Sequence, residues 1–339
     1  MFFALTDDQQ EFAAAVRSYL AERFDLAAVR GVVEDPRSDG NPPSLWRAAG
    51  EQGWSAVTVP EEYDGLGLGL VEAQVIARAL GAGVAPGPWR GTVLAAEAIR
   101  LAGSPEQQQA WLPRLATGDA IGAFATRGTA TGVLPAVEYG GIADVVVAPT
   151  AEGLALVTGA SATARGTYDA TVRLADLTAD GGEALPGATP AVVADLRSRA
   201  AVLVAADLVG IAREAITRTV AYDRDRKQFG VPVGSFQAIK HALADLHVAA
   251  TMAEHAALYA AYALDVAAED ADLAVAVAKA KAGDTAQAAT AAMIQYHGGI
   301  GYTWEHEAHL FYKRAKRLAG TCGDADEQRV RIAELTIGA

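Results

Sequence analysis

The sequence predicts a mainly α-helical chain with a small β domain in its middle, and three observations carry that prediction. Apolar residues recur at helical spacing up to about residue 118 and again from about residue 190. Between them lie short β-branched runs punctuated by Gly, Thr and Pro, the pattern of strands. The helices after residue 190 are long and closely spaced, which implies an antiparallel four-helix bundle. The expected division is therefore an α-helical domain over 1–118, a β domain over 119–189 and a helical bundle over 190–339.

Thr6 followed by Gln9 is a capping-box start, and Phe12, Val16, Tyr19 and Leu20 continue it as an amphipathic helix. A polar loop runs from about Glu34 to Pro43, after which Ser44 is expected to cap a short helix carrying Leu45, Trp46 and Ala49. Pro60 to Gly69 reads as loop, and its alternating glycines do not make a dinucleotide fingerprint because no strand leads into them. Helix returns from about Leu70 and should stop at Gly81, with Pro86 and Pro88 blocking a restart. Further helix reaches about Leu115. Strands are expected at 121–125, 143–148, 153–158 and 170–174, forming a small antiparallel domain. Then 191–225, 236–269 and 271–297 read as long helices of high alanine content, whose small faces permit close approach. A last helix carries Ile332 and Leu335.

Composition narrows the function. At 339 residues and 51% hydrophobic content the chain can bury a large core. A net charge of −13 argues against nucleic acid as a partner. The single cysteine, Cys322, excludes an internal disulfide and cysteine-rich metal sites and fits a reducing cytoplasm. No basic segment leads an apolar one at the N-terminus, so no leader peptide is expected, and no apolar run reaches the ~20 residues of a membrane span.

The most informative stretch is Ala221-Tyr-Asp-Arg-Asp-Arg-Lys-Gln-Phe-Gly-Val-Pro-Val-Gly-Ser-Phe-Gln237. It ends one helix and, after Gly230 and Pro232, opens another. Arg226 and Lys227 place two cations at a helix end, Phe229 adds an apolar plate, and Gln237 enters on the next first turn. A guanidinium grips a phosphate with two parallel hydrogen bonds and a ring can flank a flat base. An ordinary helix corner would use the same residues to complement the macrodipole.

That stretch, together with Gln295-Tyr-His-Gly-Gly-Ile-Gly-Tyr302 and Glu305, closely resembles the C-terminal domain of the acyl-CoA dehydrogenases. Leu5-Thr-Asp-Asp-Gln-Gln10 and Gly53-Trp-Ser-Ala-Val-Thr-Val-Pro60 resemble the N-terminal part of the same family. The resemblance covers nearly the whole chain. It implies that Arg226, Gln228, Phe229, Gln237, Gln295, Gly298 and Gly299 contact the ADP half of an FAD bound mainly by a neighbouring subunit. It also implies that the β domain here is a reduced version of the family's.

The same resemblance marks what is missing. The family's base is a Glu at a fixed distance after the Gly-Gly-x-Gly motif, and that position falls on Cys322 here, followed by Gly323. The alternative base position falls near Arg199-Ala-Ala201, where no acid stands. The family's flavin-covering tryptophan strand has no counterpart, since no Trp occurs between Trp111 and Trp304. No catalytic residue is therefore assigned. His306 and His309, three apart, are read as a solvated or packed face rather than a metal pair, and His241, His247 and His255 as residues of the bundle.

A chain that keeps the ADP-gripping residues and loses the rest looks like the non-catalytic subunit of an α2β2 acyl-CoA dehydrogenase acting on steroid side-chain CoA thioesters. Its partners would be a full-length catalytic subunit carrying the Glu, an acyl-CoA bound mainly by that subunit, and an electron-transfer acceptor. Two alternatives remain at this point: a self-sufficient flavoenzyme using Asp324 or Asp326 as base, and a structural chain that binds no cofactor.

Overall fold

The computed structural model describes residues 4–338. The first three residues of the segment read above as no leader lie outside them. Among the described residues the elements run α1 (Asp7–Arg23), α2 (Leu26–Glu34), α3 (Pro43–Glu51), α4 (Leu70–Ala82), α5 (Trp89–Ala102) and α6 (Pro105–Thr117). Seven strands follow: β1 (Gly122–Phe124), β2 (Val133–Glu138), β3 (Val145–Pro149), β4 (Leu154–Val157), β5 (Ser161–Arg165), β6 (Leu174–Thr178) and β7 (Glu183–Ala184). The chain then forms α7 (Pro190–Asp225), a small hairpin of β8 (Lys227–Gln228) and β9 (Val231–Pro232), α8 (Gln237–Asp265), α9 (Ala271–Tyr296), α10 (Ala308–Ala319) and α11 (Ala325–Ile337). No helix among the described residues is long and apolar enough to cross a membrane.

Two compact units emerge, and neither is continuous in sequence. One combines residues 27–73 with 86–200; the other combines residues 4–26 and 74–85 with 201–338.

The first unit is built on two sheets. β1, β3, β4 and β7 form one in that order, and β2, β6 and β5 form the other. β3 is buried on both faces, which explains its unbroken Val-Val-Val-Ala run. Val145 and Val147 join Ile99 of α5 and Leu112 and Leu115 of α6 in one core. The intervening Val146 joins Leu134, Ala175 and Leu177 of the second sheet in another. The expectation of a wholly antiparallel domain needs correction, because β1 pairs with β3 in parallel, Gly122 beside Val145. The strand expected at 170–174 is a turn. Asp169 accepts bonds from both the backbone N–H and the hydroxyl of Thr171, and pairing begins only at Leu174. β2 escaped the sequence reading because Pro135 interrupts it; the register shifts there, Ala136 adopts a positive φ, and its N–H donates to Asp176 at 2.7 Å.

In the second unit Thr6 and Gln9 form the expected reciprocal capping box on α1. Gly81, expected to stop α4, instead lies inside it and serves as a contact. A Cβ there would meet the carbonyl oxygen of Asp207 on α7 at 2.2 Å, and one at Gly210 would meet that of Arg78 at 2.0 Å. Each helix offers a glycine to the backbone of the other. Ser44 in the first unit is likewise no cap: α3 begins at Pro43, its proline preset for the first turn.

The inner faces of α8 and α9 are largely alanine, and α9 packs against α8, α10 and α11. A buried pair holds α10 to α7. Arg314 grips Asp207 through Nε at 3.2 Å and Nη2 at 2.7 Å, and its Nη1 donates to the Ala85 carbonyl at 2.8 Å.

Candidate functional site

The stretch singled out in the sequence folds as a hairpin, a form the sequence reading missed. α7 ends at Asp225, and the Arg226 N–H closes its last turn on the Tyr222 carbonyl at 2.8 Å. Lys227 and Gln228 then pair with Pro232 and Val231. The two-residue loop is Phe229-Gly230, with φ of 53° and 82°, the geometry of a type I′ turn. A bulky residue with positive φ is an outlier, and such strain gathers at functional sites. Phe229 is 92% exposed and touches Phe236 edge-on at 6.2 Å between ring centres. The strained conformation holds a large apolar ring out in solvent.

Two aromatic contacts hold His297 at the end of α9, one from the end of α7 and one from the segment before α10. Tyr222 stacks on His297 at 4.4 Å between ring centres, and His306 covers the same histidine at 4.4 Å. His297 Nδ1 lies 2.7 Å from the Met293 carbonyl, and burial pushes its pKa below the usual histidine range. Gly298 and Gly299 directly follow His297, whose ring rests on Tyr222 one turn before Arg226. Gly298 has φ of 62°, and a Cβ at either glycine would meet open space. Gln237 and Gln295 are exposed on the first turn of α8 and the last turn of α9. The Arg226 guanidinium makes no ion pair among the described residues; its neighbour Arg224 leans on Asp225 at 3.6 Å. All seven residues thus face solvent, and the side chains of Arg226, Gln228, Gln237 and Gln295 make no hydrogen bond to the fold among the described residues.

His306 and His309, read as a solvated or packed face, make separate contacts. His306 lies before α10 and accepts the Ala308 N–H at 3.1 Å, while His309 stacks on Trp304 at 4.3 Å. His241, His247 and His255, read as residues of the bundle, lie on α8 and are exposed there.

The position where the family would carry its base is tightly fastened. Cys322 is half-buried with φ of 59°, its carbonyl accepting Gln328 Nε2 at 3.0 Å. Beneath it lies Lys279, fully buried, which sequence reasoning overlooked. Its ammonium donates to the carbonyls of Ala319 at 2.9 Å and Gly323 at 2.8 Å. Burial lowers the Lys279 pKa to about 8, against the opposing pull of Cys322, Asp324 and Glu327. The only sequence signal was a lysine on the alanine face of a long helix. Near the alternative base position, Arg199 is buried and pairs with Glu97 at 3.0 Å and Asp195 at 2.8 Å. The acids there are held by a guanidinium. Asp324 is the N-cap of α11, accepting from the N–H groups of Asp326 and Glu327, and Asp326 pairs with Arg329 at 2.7 Å.

Comparison with known proteins sets this geometry in a family. Residues 6–119 match the model of the acyl-CoA dehydrogenase N-terminal domain, and residues 193–336 that of the C-terminal domain. The chain is 39% identical over 315 residues to the acyl-CoA dehydrogenase IpdE2 of Mycobacterium tuberculosis, covering 91% of each protein. Among solved structures it resembles a chain of the ChsE4-ChsE5 complex from Mycobacterium tuberculosis, with a TM-score of 0.89, 27% identity and 99% of each chain covered. It resembles similarly a chain of Tcur3481-Tcur3483, described as a steroid ACAD, with a TM-score of 0.87, 27% identity and 98% of each chain covered.

Proposed function

The chain belongs to the acyl-CoA dehydrogenase family, and we propose that it is the non-catalytic subunit of a heteromeric enzyme that introduces an α,β double bond into an acyl-CoA. The carrying observation is the contrast between two sites. The residues able to hold the ADP half of FAD are solvent-facing and uncommitted, whereas the base position holds Cys322 over a pinned turn.

The residues present fit that half of the cofactor. Arg226 offers a planar pair of donors to a pyrophosphate, and Phe229 offers an exposed ring face to the adenosine. Gly298 and Gly299 let a ligand approach the backbone, with nothing within 4 Å of where a Cβ would stand. FAD, when bound, supplies the hydride acceptor. The α-proton is then taken by a glutamate of the partner, since a general base must reach the α-carbon and Cys322-Gly323 offers no carboxylate there. Asp324 and Asp326 are poor substitutes, one spent on a helix cap and the other on an ion pair.

The likeness to ChsE4-ChsE5 and to a steroid ACAD supports a two-chain enzyme acting on a steroid side-chain CoA thioester. An electron-transfer protein would reoxidise the flavin, and the assembly would work in the cytoplasm. Co-expression with a full-length family member tests the reading: this chain is colourless alone, and the complex holds one FAD per heterodimer. One flavin per chain, from absorbance against protein mass, would overturn it.

A further inference from the structure

In the second unit, arginines from α1, α4 and α7 gather around one carboxylate of α8. The close approach of α4 and α7 sets two of them side by side: a Cβ at Gly210 would meet the Arg78 carbonyl oxygen at 2.0 Å, and Arg213 follows Gly210 by one turn. Glu254 faces both. Arg213 Nε donates to Glu254 Oε2 at 2.8 Å; its Nη2 lies 2.6 Å from the same oxygen and donates to the Thr251 hydroxyl at 2.9 Å. Arg213 Nη1 lies 3.4 Å from His247 Nδ1, so all three of its nitrogens are engaged. Arg78 is engaged at one only. Its Nη1 bonds Glu254 Oε1, while its Nε and Nη2 make no hydrogen bond among the described residues.

The third arginine, Arg17 on α1, is exposed, and its side chain makes no ion pair or hydrogen bond among the described residues. It stands near enough for its charge to act on Arg78. Burial, set against the pull of Glu254 and joined by the charges of Arg17 and Arg213, holds the Arg78 guanidinium below the usual arginine range. Like charges brought together on packed helices disfavour one another unless something compensates them. Here three guanidinium groups against one carboxylate leave an excess of two positive charges, in a chain whose net charge is −13.

We propose that this cluster is a binding site for a phosphate-type dianion, either free phosphate or a phosphate monoester carried on a nucleotide. The open Nε and Nη2 share one edge of the Arg78 guanidinium, the fork that takes two oxygens of a phosphate at once. Arg17 supplies the second cation from the solvent side. Arg213 and Thr251 fix Glu254, and Glu254 in turn fixes the Arg78 fork before any ligand arrives. Charge selects the ligand class. A phosphate monoester carries about −1.5 to −2 near neutral pH and matches the excess, whereas a single carboxylate leaves half of it uncompensated. The site uses none of the residues assigned to the flavin.

The test is calorimetric titration of the full chain with sodium phosphate at pH 7.5 and fixed ionic strength. Every titration is run in the Arg226→Ala background, so that the hairpin guanidinium contributes nothing. Saturable binding is expected, and Arg17→Gln and Arg78→Gln should each weaken it about tenfold or more, the usual effect of losing a charged hydrogen bond. Arg224→Gln makes the same change in net charge elsewhere and should leave the affinity as it was. Should Arg78→Gln lose helical content by circular dichroism, Arg17→Gln decides, because the Arg17 side chain makes no bond to the fold among the described residues. Acetate at equal ionic strength should bind at least about tenfold more weakly than phosphate, having half the charge. Failure to saturate in the millimolar range, or an Arg17→Gln variant that binds phosphate as before, would overturn the site. So would acetate binding as well as phosphate, which would make the cluster a contact for acidic side chains. Adenosine 3′-monophosphate separates the two sources: tighter binding than phosphate assigns a nucleotide-borne monoester, equal binding assigns free phosphate, and either result upholds the site.

Discussion

Lys279 Nζ donates to the Gly323 carbonyl at 2.8 Å, from a side chain with no exposed surface. The same ammonium bonds Ala319, so one buried cation fastens both sides of the turn that carries Cys322. A buried ammonium is costly to desolvate, and its pKa near 8 against an ordinary 10.5 expresses that cost.

Lys279→Met should therefore destabilise the chain by about 2–5 kcal/mol at pH 7.5, since two buried carbonyls lose their donor. The pH dependence has a definite sign. Between about pH 8 and 10.5 the unfolded chain holds this proton when the folded chain has released it, so stability from this group rises with pH. The gap between wild type and Lys279→Met should widen from pH 7.5 to 9.5 in urea titrations. A gap that narrows would show that the ammonium is not desolvated as described.

Arg314 and Asp207 form a buried charge pair in the same unit. Removing one member should be worse than removing both. Arg314→Met should cost ~3–5 kcal/mol because the Asp207 carboxylate stays buried without its guanidinium. The double variant Arg314→Met, Asp207→Leu should regain most of that loss. Equal losses in single and double variants, measured by denaturant midpoint, would show that the Arg314 bond to Ala85 dominates instead.

Asp223 gives a prediction of opposite pH sign. It is buried on the last turn of α7, its carboxylate oxygens accept no hydrogen bond among the described residues, and desolvation raises its pKa to about 6. A raised carboxyl pKa stabilises the fold below about pH 4 and loses that contribution as pH rises through 6. Asp223→Asn should match wild type near pH 4 and exceed it at pH 7.5, by up to about 3 kcal/mol at a little over one per pKa unit. Parallel stability curves over that range would contradict a desolvated carboxyl.

The helices and their junctions were legible because periodicity, capping boxes and short connections are local signals. Thr6 with Gln9 and the 36-residue α7 could be read without tertiary knowledge. The sheets were less so. β5 is exposed along its length and β2 bends at Pro135, so neither shows alternation; partner strands, not their own residues, define them. Gly81 looked like a helix stop because its role, close approach to α7, is visible only in three dimensions. At the site, the motif residues were readable from Arg226 to Gly299, but the Phe229-Gly230 turn was not, since Phe is disfavoured at positive φ. Lys279 was hidden for a related reason: nothing in sequence says that a lysine among alanines points inward.

The remaining prediction concerns Arg226, whose guanidinium stands free beside the strained Phe229 turn. If it grips the pyrophosphate of an FAD shared with the partner, Arg226→Ala in this chain should cost the partner its flavin. A hydrogen bond to a charged group contributes roughly 1.5–3 kcal/mol, so affinity should fall about ten- to more than a hundredfold. Arg226→Lys should recover only part, because an ammonium cannot make the planar two-point contact. Gln237→Ala and Gln295→Ala should shift affinity less in the same direction, and Arg224→Ala, beside Asp225 on the surface, should do little. Flavin retained through gel filtration of the co-expressed complex reads each variant, and adding FAD should restore activity to the weakened ones. Because Arg226 makes no ion pair among the described residues, its loss should leave the melting temperature of the isolated chain unchanged, which separates a ligand contact from a folding role. Full flavin retention by Arg226→Ala in an intact complex would reduce the hairpin to a helix corner and remove the basis for a divided cofactor site.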